Sequence, residues 1–132
     1  MQHQKIPFKD TKIFSSFFLD YITEKDSLKQ FYGRFPSISA FKDQIKEKEK
    51  NFAQASRQIL KEVLTEQYKS LVITDEVSEN IAALGDKKTF TITTGHQLNI
   101  FTGPLYFIYK IVSVINACKA LSNAYPEFRF VP

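Results

Sequence analysis

The last third of the chain constrains the fold more than any other part. Thr89-Phe90-Thr91-Ile92-Thr93-Thr94 is β-branched and aromatic and predicts a strand. Gly95 to Gly103 reads as a loop, and Pro104 suits the first position of a helix, where its missing N–H has no helical partner anyway. Leu105 to Leu121 is apolar nearly all round, Asn123 and Pro126 mark its end, and Phe128-Arg129-Phe130-Val131-Pro132 predicts a second strand. A strand, a buried helix and another strand form a βαβ unit, so the two strands are expected to be parallel. The expected class is α/β: a mainly helical region over residues 1–88, then the start of a parallel sheet over residues 89–132. Parallel sheets need cover on both faces and more than two strands. The only other strand-like run is the short Val72-Ile73. The core begun at Thr89 is therefore expected to be incomplete within this chain.

Charge is distributed to match. Residues 1–35 carry ten charged side chains and residues 36–88 carry eighteen, whereas residues 89–132 carry only Lys110, Lys119, Glu127 and Arg129. The last third is thus core material and the rest a more solvated surround. The net charge of +4 is small and mixed, with no Lys/Arg run interleaved with aromatics, which argues against a nucleic-acid partner. The alternating run Lys46-Glu47-Lys48-Glu49-Lys50 is the wet face of a helix. A single cysteine, Cys118, rules out an internal disulfide and fits a reducing compartment. Met1-Gln2-His3-Gln4-Lys5 has no apolar stretch of the signal-peptide kind, so the expected location is the cytoplasm.

Upstream of Thr89, apolar spacing predicts four helices. The first, within residues 11–23, carries Ile13, Phe14, Phe17, Phe18, Tyr21 and Ile22, with Asp10 or Thr11 as its cap. Gly33 and Pro36 punctuate a loop, after which Ser37 can cap a second helix bearing Ile38, Phe41, Ile45 and Phe52. A third carries Ile59, Leu60, Val63, Leu64, Tyr68 and Leu71. A short fourth runs from Thr74 or Asp75 to Leu84, with Gly85 placed to end it in the left-handed conformation.

Candidate chemistry gathers in the loop Thr94-Gly95-His96-Gln97-Leu98-Asn99-Ile100-Phe101-Thr102-Gly103-Pro104. It joins the carboxyl end of a strand to the N-terminus of a helix, the place where open α/β sheets bind ligands. Free N–H groups and the helix dipole there favour phosphate or carboxylate. Gly95 and Gly103 let a ligand approach the backbone, and Thr94, His96, Gln97, Asn99 and Thr102 supply polar groups in an apolar third of the chain. A self-capping structural turn is the competing reading. The glycine spacing matches neither GxGxxG nor a P-loop. His96 is suited to bind phosphate, to transfer a proton or to hydrogen-bond across the loop. No Cys, Asp or Glu lies nearby in sequence to join it at a metal, so no metal site is expected. Lys110, the lone charge in the middle of the apolar helix, needs an anionic ligand, a structural partner or a route for its ammonium to water. Tyr106 and Tyr109 read as packing residues with a polar tip, and Cys118 as an inert small apolar residue. Lys110, Ser113 and Asn116 make the 105–121 run a buried core helix rather than a membrane span.

The run Thr93-Thr94-Gly95-His96-Gln97-Leu98-Asn99-Ile100-Phe101-Thr102-Gly103-Pro104-Leu105-Tyr106, with Lys110 and then Tyr125-Pro126 and Phe130-Val131-Pro132, resembles the bacillithiol-biosynthesis cysteine-adding enzymes. The resemblance extends upstream through Phe31-Tyr32-Gly33-Arg34-Phe35-Pro36 and Asn51-Phe52, and so covers essentially the whole chain. It implies a Rossmann-like core of the class I synthetase type, although the HIGH motif of those synthetases is not present. It further implies a ligase that forms an amide between L-cysteine and the amino group of glucosaminyl malate, with ATP as the activating cosubstrate. By position, Thr94, Gly95, His96, Gln97, Asn99, Thr102, Gly103 and Lys110 fall in the segment facing that family's active site, His96 as a catalytic candidate and the others as binding residues. The resemblance also implies helical insertions, a C-terminal coiled coil and a homodimer in the full-length protein, and further strands after Pro132. On that basis the 132-residue chain alone is expected to lack ligase activity. Two other readings stand beside it: a non-catalytic anion- or nucleotide-binding module, and a helical interaction domain that docks through residues 105–121.

Overall fold

A computed structural model describes residues 4–132. The chain divides into two compact units, one through Ala40 and one from Phe41 to Pro132. In the first, a 3₁₀ turn at Phe8–Thr11 precedes α1 (Ser16–Ile22), and a second 3₁₀ segment spans Asp26–Phe31. The helix predicted from residue 11 thus starts later. Lys12 takes a left-handed conformation (φ 56°), and Thr11 Oγ1 donates back to the Phe8 carbonyl at 2.7 Å. Ser15 is the actual cap, its Oγ accepting the Phe18 N–H at 3.2 Å. Phenylalanine spacing serves an aromatic cluster instead: Phe14 stacks on Phe18 at 4.7 Å, and Phe8 meets Phe14 edge-on at 4.7 Å.

The second unit contains α2 (Phe41–Asn51), α3 (Gln54–Tyr68), α4 (Asp75–Ala83), β1 (Thr89–Thr91), α5 (Leu105–Ala124) and β2 (Arg129–Val131). The strands pair in parallel, with Thr89 opposite Arg129, Phe90 opposite Phe130 and Thr91 opposite Val131. Both strands are shorter than their β-rich sequences, although the Ile92 N–H still reaches the Val131 carbonyl at 2.9 Å. Val72 and Ile73 form no strand, and Val72 is fully exposed.

The core joins four elements: Ile45 of α2, Phe90 of β1, Cys118 and Leu121 of α5, and Phe130 of β2. Leu121 is completely buried. Arg57 of α3 is also buried and donates from Nη1 to the Thr89 carbonyl at 2.8 Å, tying α3 to β1. Gly85 ends α4 without a left-handed backbone. A Cβ there would lie a tight 3.2 Å from Lys61 Cδ on α3, and the Gly85 carbonyl accepts Gln54 Nε2 at 2.6 Å.

Helix α5 departs from the buried helix that its composition predicts. Only Cys118 and Leu121 are buried, while Leu105, Tyr106, Ile108, Tyr109, Ile111, Val112 and Ile115 are exposed. With 20 residues and a mean hydropathy of 1.3 in its most apolar window, it has the length and composition of a membrane span. The described residues contain a two-stranded sheet, and a sheet that narrow covers one stripe of a helix, here the Val114, Cys118 and Leu121 stripe.

Candidate functional site

The loop between β1 and α5 is tied down at both ends. Entering it, the chain places the Gly95 carbonyl 3.1 Å from Lys110 Nζ, a hydrogen bond that spans fifteen residues. The charge in the middle of α5 is thereby satisfied by a backbone carbonyl, and its ammonium also lies 5.3 Å from the Tyr106 ring centroid. One partner leaves the ammonium's remaining N–H groups available.

His96 docks on the first turns of α5, its ring 5.0 Å from that of Tyr106 and 4.9 Å from that of Phe107. Its Nδ1 lies 2.9 Å from the Gln97 carbonyl and 2.8 Å from Asn99 Nδ2. Asn99 Nδ2 also donates to the Gln97 carbonyl at 2.8 Å. If Nδ1 carries the proton, it donates to Gln97; if it does not, it accepts from Asn99. Either tautomer leaves Nε2 buried and without a partner.

At its far end the loop turns through three successive left-handed residues: Phe101 (φ 53°), Thr102 (φ 66°) and Gly103 (φ 63°). Glycine is needed at the third, because a Cβ there would meet Asn99 Cγ at 2.7 Å as well as carrying the strain of positive φ. The Thr102 hydroxyl is turned to the Phe101 carbonyl at 2.6 Å. Helix α5 then begins at Leu105, with Pro104 as its N-cap rather than its first helical residue, and no side chain caps the N–H groups of the first turn.

Between the end of β1 and α5 lies an open groove of 480 Å³ lined by Thr93, Thr94, Tyr106, Tyr109, Lys110 and Ser113, among others. Of the predicted site residues, Thr94 and Lys110 line the groove and Gly95 joins them through its carbonyl on Lys110, while His96, Asn99 and Gly103 contact one another within the loop. Gln97 contributes its backbone carbonyl while its side chain is exposed, and the Thr102 hydroxyl is spent within the turn. Sequence reasoning missed Tyr106, Tyr109 and Ser113 as groove residues. Their spacing from Lys110, four and one before it and three after, marks a single helix face and was the available signal. Among the described residues, no three His, Cys, Asp or Glu side chains come together.

A family-level comparison matches residues 1–132 to "Bacillithiol biosynthesis BshC, N-terminal Rossmann-like domain". The chain belongs to the BshC family. Among its relatives, a protein of Flavobacterium psychrophilum named "Putative cysteine ligase BshC" is 52% identical over 128 residues, covering 96% of this chain and 24% of the relative. One of the same name from Christiangramia forsetii is 50% identical over 127 residues, again covering 96% and 24%. One from Bacillus thuringiensis is 33% identical over 101 residues, covering 76% of this chain and 18% of the relative. This BshC chain therefore spans about a quarter of the length of these first two curated relatives. No solved structure matches it. The parallel β1–β2 pair joined through α5 agrees with the Rossmann-like α/β description of the family domain.

Proposed function

We propose that this chain is the N-terminal part of a ligase that joins the carboxyl group of L-cysteine to the amine of glucosaminyl malate, with ATP activating the carboxylate. Activation is needed because a free carboxylate does not acylate an amine. Family membership over the whole chain supports the reaction class, and the names of the relatives supply cysteine as the substrate. The single observation that carries the site is the Lys110 ammonium, held by the Gly95 carbonyl where a strand ends and a helix begins. An anion in the groove meets that ammonium beside the first turn of α5, whose N–H groups no side chain caps, and Gly95, with nothing within 4 Å of its Cβ position, keeps the backbone accessible. These groups fit a phosphate or a carboxylate. They would hold ATP or the cysteine carboxylate, and ATP would supply the leaving group that makes the carboxyl carbon electrophilic. With Nδ1 protonated and donating to the Gln97 carbonyl, the unpaired Nε2 of His96 is the group suited to take the proton that the amine loses.

The test is amide formation by the full-length protein supplied with cysteine, glucosaminyl malate and ATP, followed by mass spectrometry. Lys110→Met is expected to lower kcat/KM by about 10²- to 10³-fold, the range for removing one preorganised donor to a reacting group. Product formation that does not need ATP, or that is unchanged in Lys110→Met, counts against the reading. The 132-residue chain by itself is expected to give no turnover, and robust turnover by it would sink that expectation.

A further inference from the structure

A second place in the molecule carries unbalanced charge. Arg57 is only 5% exposed, yet no carboxylate of the described residues pairs with it. Its guanidinium makes one hydrogen bond, to the Thr89 carbonyl, and sits 5.2 Å from the Phe52 ring centroid and 5.7 Å from that of Phe90. Rings and one carbonyl orient the group without neutralising it. A buried cation in that state is strongly disfavoured unless an anion completes it.

The surroundings supply the space. Arg57 lines a cleft of 390 Å³ beside β1, together with Lys48, Asn51, Thr89, Thr91 and Thr93. Its lining holds two cations, an amide and three hydroxyls, and no carboxylate. The cleft also lies against the open edge of the sheet. Lys88 and Ile92 direct their backbone groups to β2, through Arg129 N–H to Lys88 O and Ile92 N–H to Val131 O, so alternation sends those of Thr89 and Thr91 to the other side.

We propose that Arg57, with Lys48 beside it, is the receptor for a carboxylate group. A guanidinium fixed between two rings presents its free N–H groups as a fork, the geometry that carboxylates match in bidentate fashion. The carboxylate comes from a small acid bound in the cleft or from an Asp or Glu side chain of the full-length protein outside residues 4–132. This site adjoins the Lys110 groove at Thr93 but shares none of its charged groups, and it does not depend on the ligase reading.

The experiment is calorimetric titration of the full-length protein with sodium malonate, against sodium chloride of matched ionic strength, alongside a structure of the full-length protein. Saturable malonate binding that weakens at least tenfold in Arg57→Met, several-fold in Lys48→Gln and not in Lys110→Met assigns a small-acid site. Lys48 is an exposed residue, so its variant keeps the test sound if Arg57→Met fails to fold. No malonate binding, with an Asp or Glu carboxylate within about 4 Å of the guanidinium, assigns the carboxylate to the protein itself. No malonate binding and no such carboxylate overturns the proposal.

Discussion

His96 shows how one side chain can be held by packing while its chemistry is left free. Its ring rests on Tyr106 and Phe107, one nitrogen is engaged with Gln97 and Asn99, and the other has nothing to bond. His96→Phe keeps the ring packing and deletes the unpaired nitrogen. The fold is expected to survive, judged by circular dichroism, while kcat/KM of the full-length protein falls by about 10² to 10⁴, the usual weight of a positioned proton-transfer group. Gly103→Ala is a test of the loop itself. Positive φ costs a β-carbon about 1–2 kcal/mol, to which displacement of the Asn99 side chain adds, so denaturant unfolding is expected to show a loss of about that size. Cys118 behaves oppositely to a reactive thiol, since burial raises its pKa above the ordinary 9.0. In the native protein it is expected to react slowly with a disulfide reagent at pH 8, and rapidly once denatured. The sign of the linkage follows: the unfolded thiol ionises first, so its contribution to stability is intact below pH 9.0 and declines as pH rises above it.

Among the elements, helix α5 and the two strands were legible from periodicity and β-branching, and their parallel pairing follows from the single crossover between them. The helix starts were legible in part: Thr74 is the N-cap of α4 and Ser37 Oγ accepts the Ala40 N–H ahead of α2, but the cap of α1 was not foreseen. Ser15 rather than Thr11 starts α1 because Lys12 takes a left-handed turn, and nothing in local spacing marks a lysine for that conformation. Loop membership was readable for Gly95 to Pro104, but the roles within it depend on contacts across the chain. Lys110 finds a carbonyl fifteen residues away, while Thr102 turns inward to its own neighbour. Arg57 was invisible as a special residue, since on α3 it looks like any exposed helical arginine until Thr89 and Phe90 are folded against it. The element-scale prediction concerns Leu121, which seals α5 onto the sheet. Leu121→Ala is expected to destabilise by about 2–5 kcal/mol in urea unfolding, whereas exposed Ile111→Ala on the same helix costs well under half as much.

Over the whole molecule, the balance between apolar surface and available cover is uneven. Seven large apolar residues of α5 from Leu105 to Ile115 stand open, far more than scattered surface hydrophobics would give. The 132-residue chain purified alone is therefore expected to self-associate, read as a concentration-dependent mass in light scattering. A monodisperse monomer across a hundredfold range of concentration would show that the exposed face is tolerated.

The guanidinium that closes on the Thr89 carbonyl has a consequence for how strands meet. Open sheet edges invite pairing with whatever extended segment arrives, including a copy of the same protein. At β1 the outward carbonyl of Thr89 is already occupied by Arg57 and its N–H by the Asp86 carbonyl, so a newcomer finds no free backbone group at that end. Pairing along this edge has to begin beyond Thr89. Arg57 thus acts as a stop for register, refusing strands that would slide past the start of β1 and leaving the carboxyl end, nearest the loop, as the place where a new strand can join.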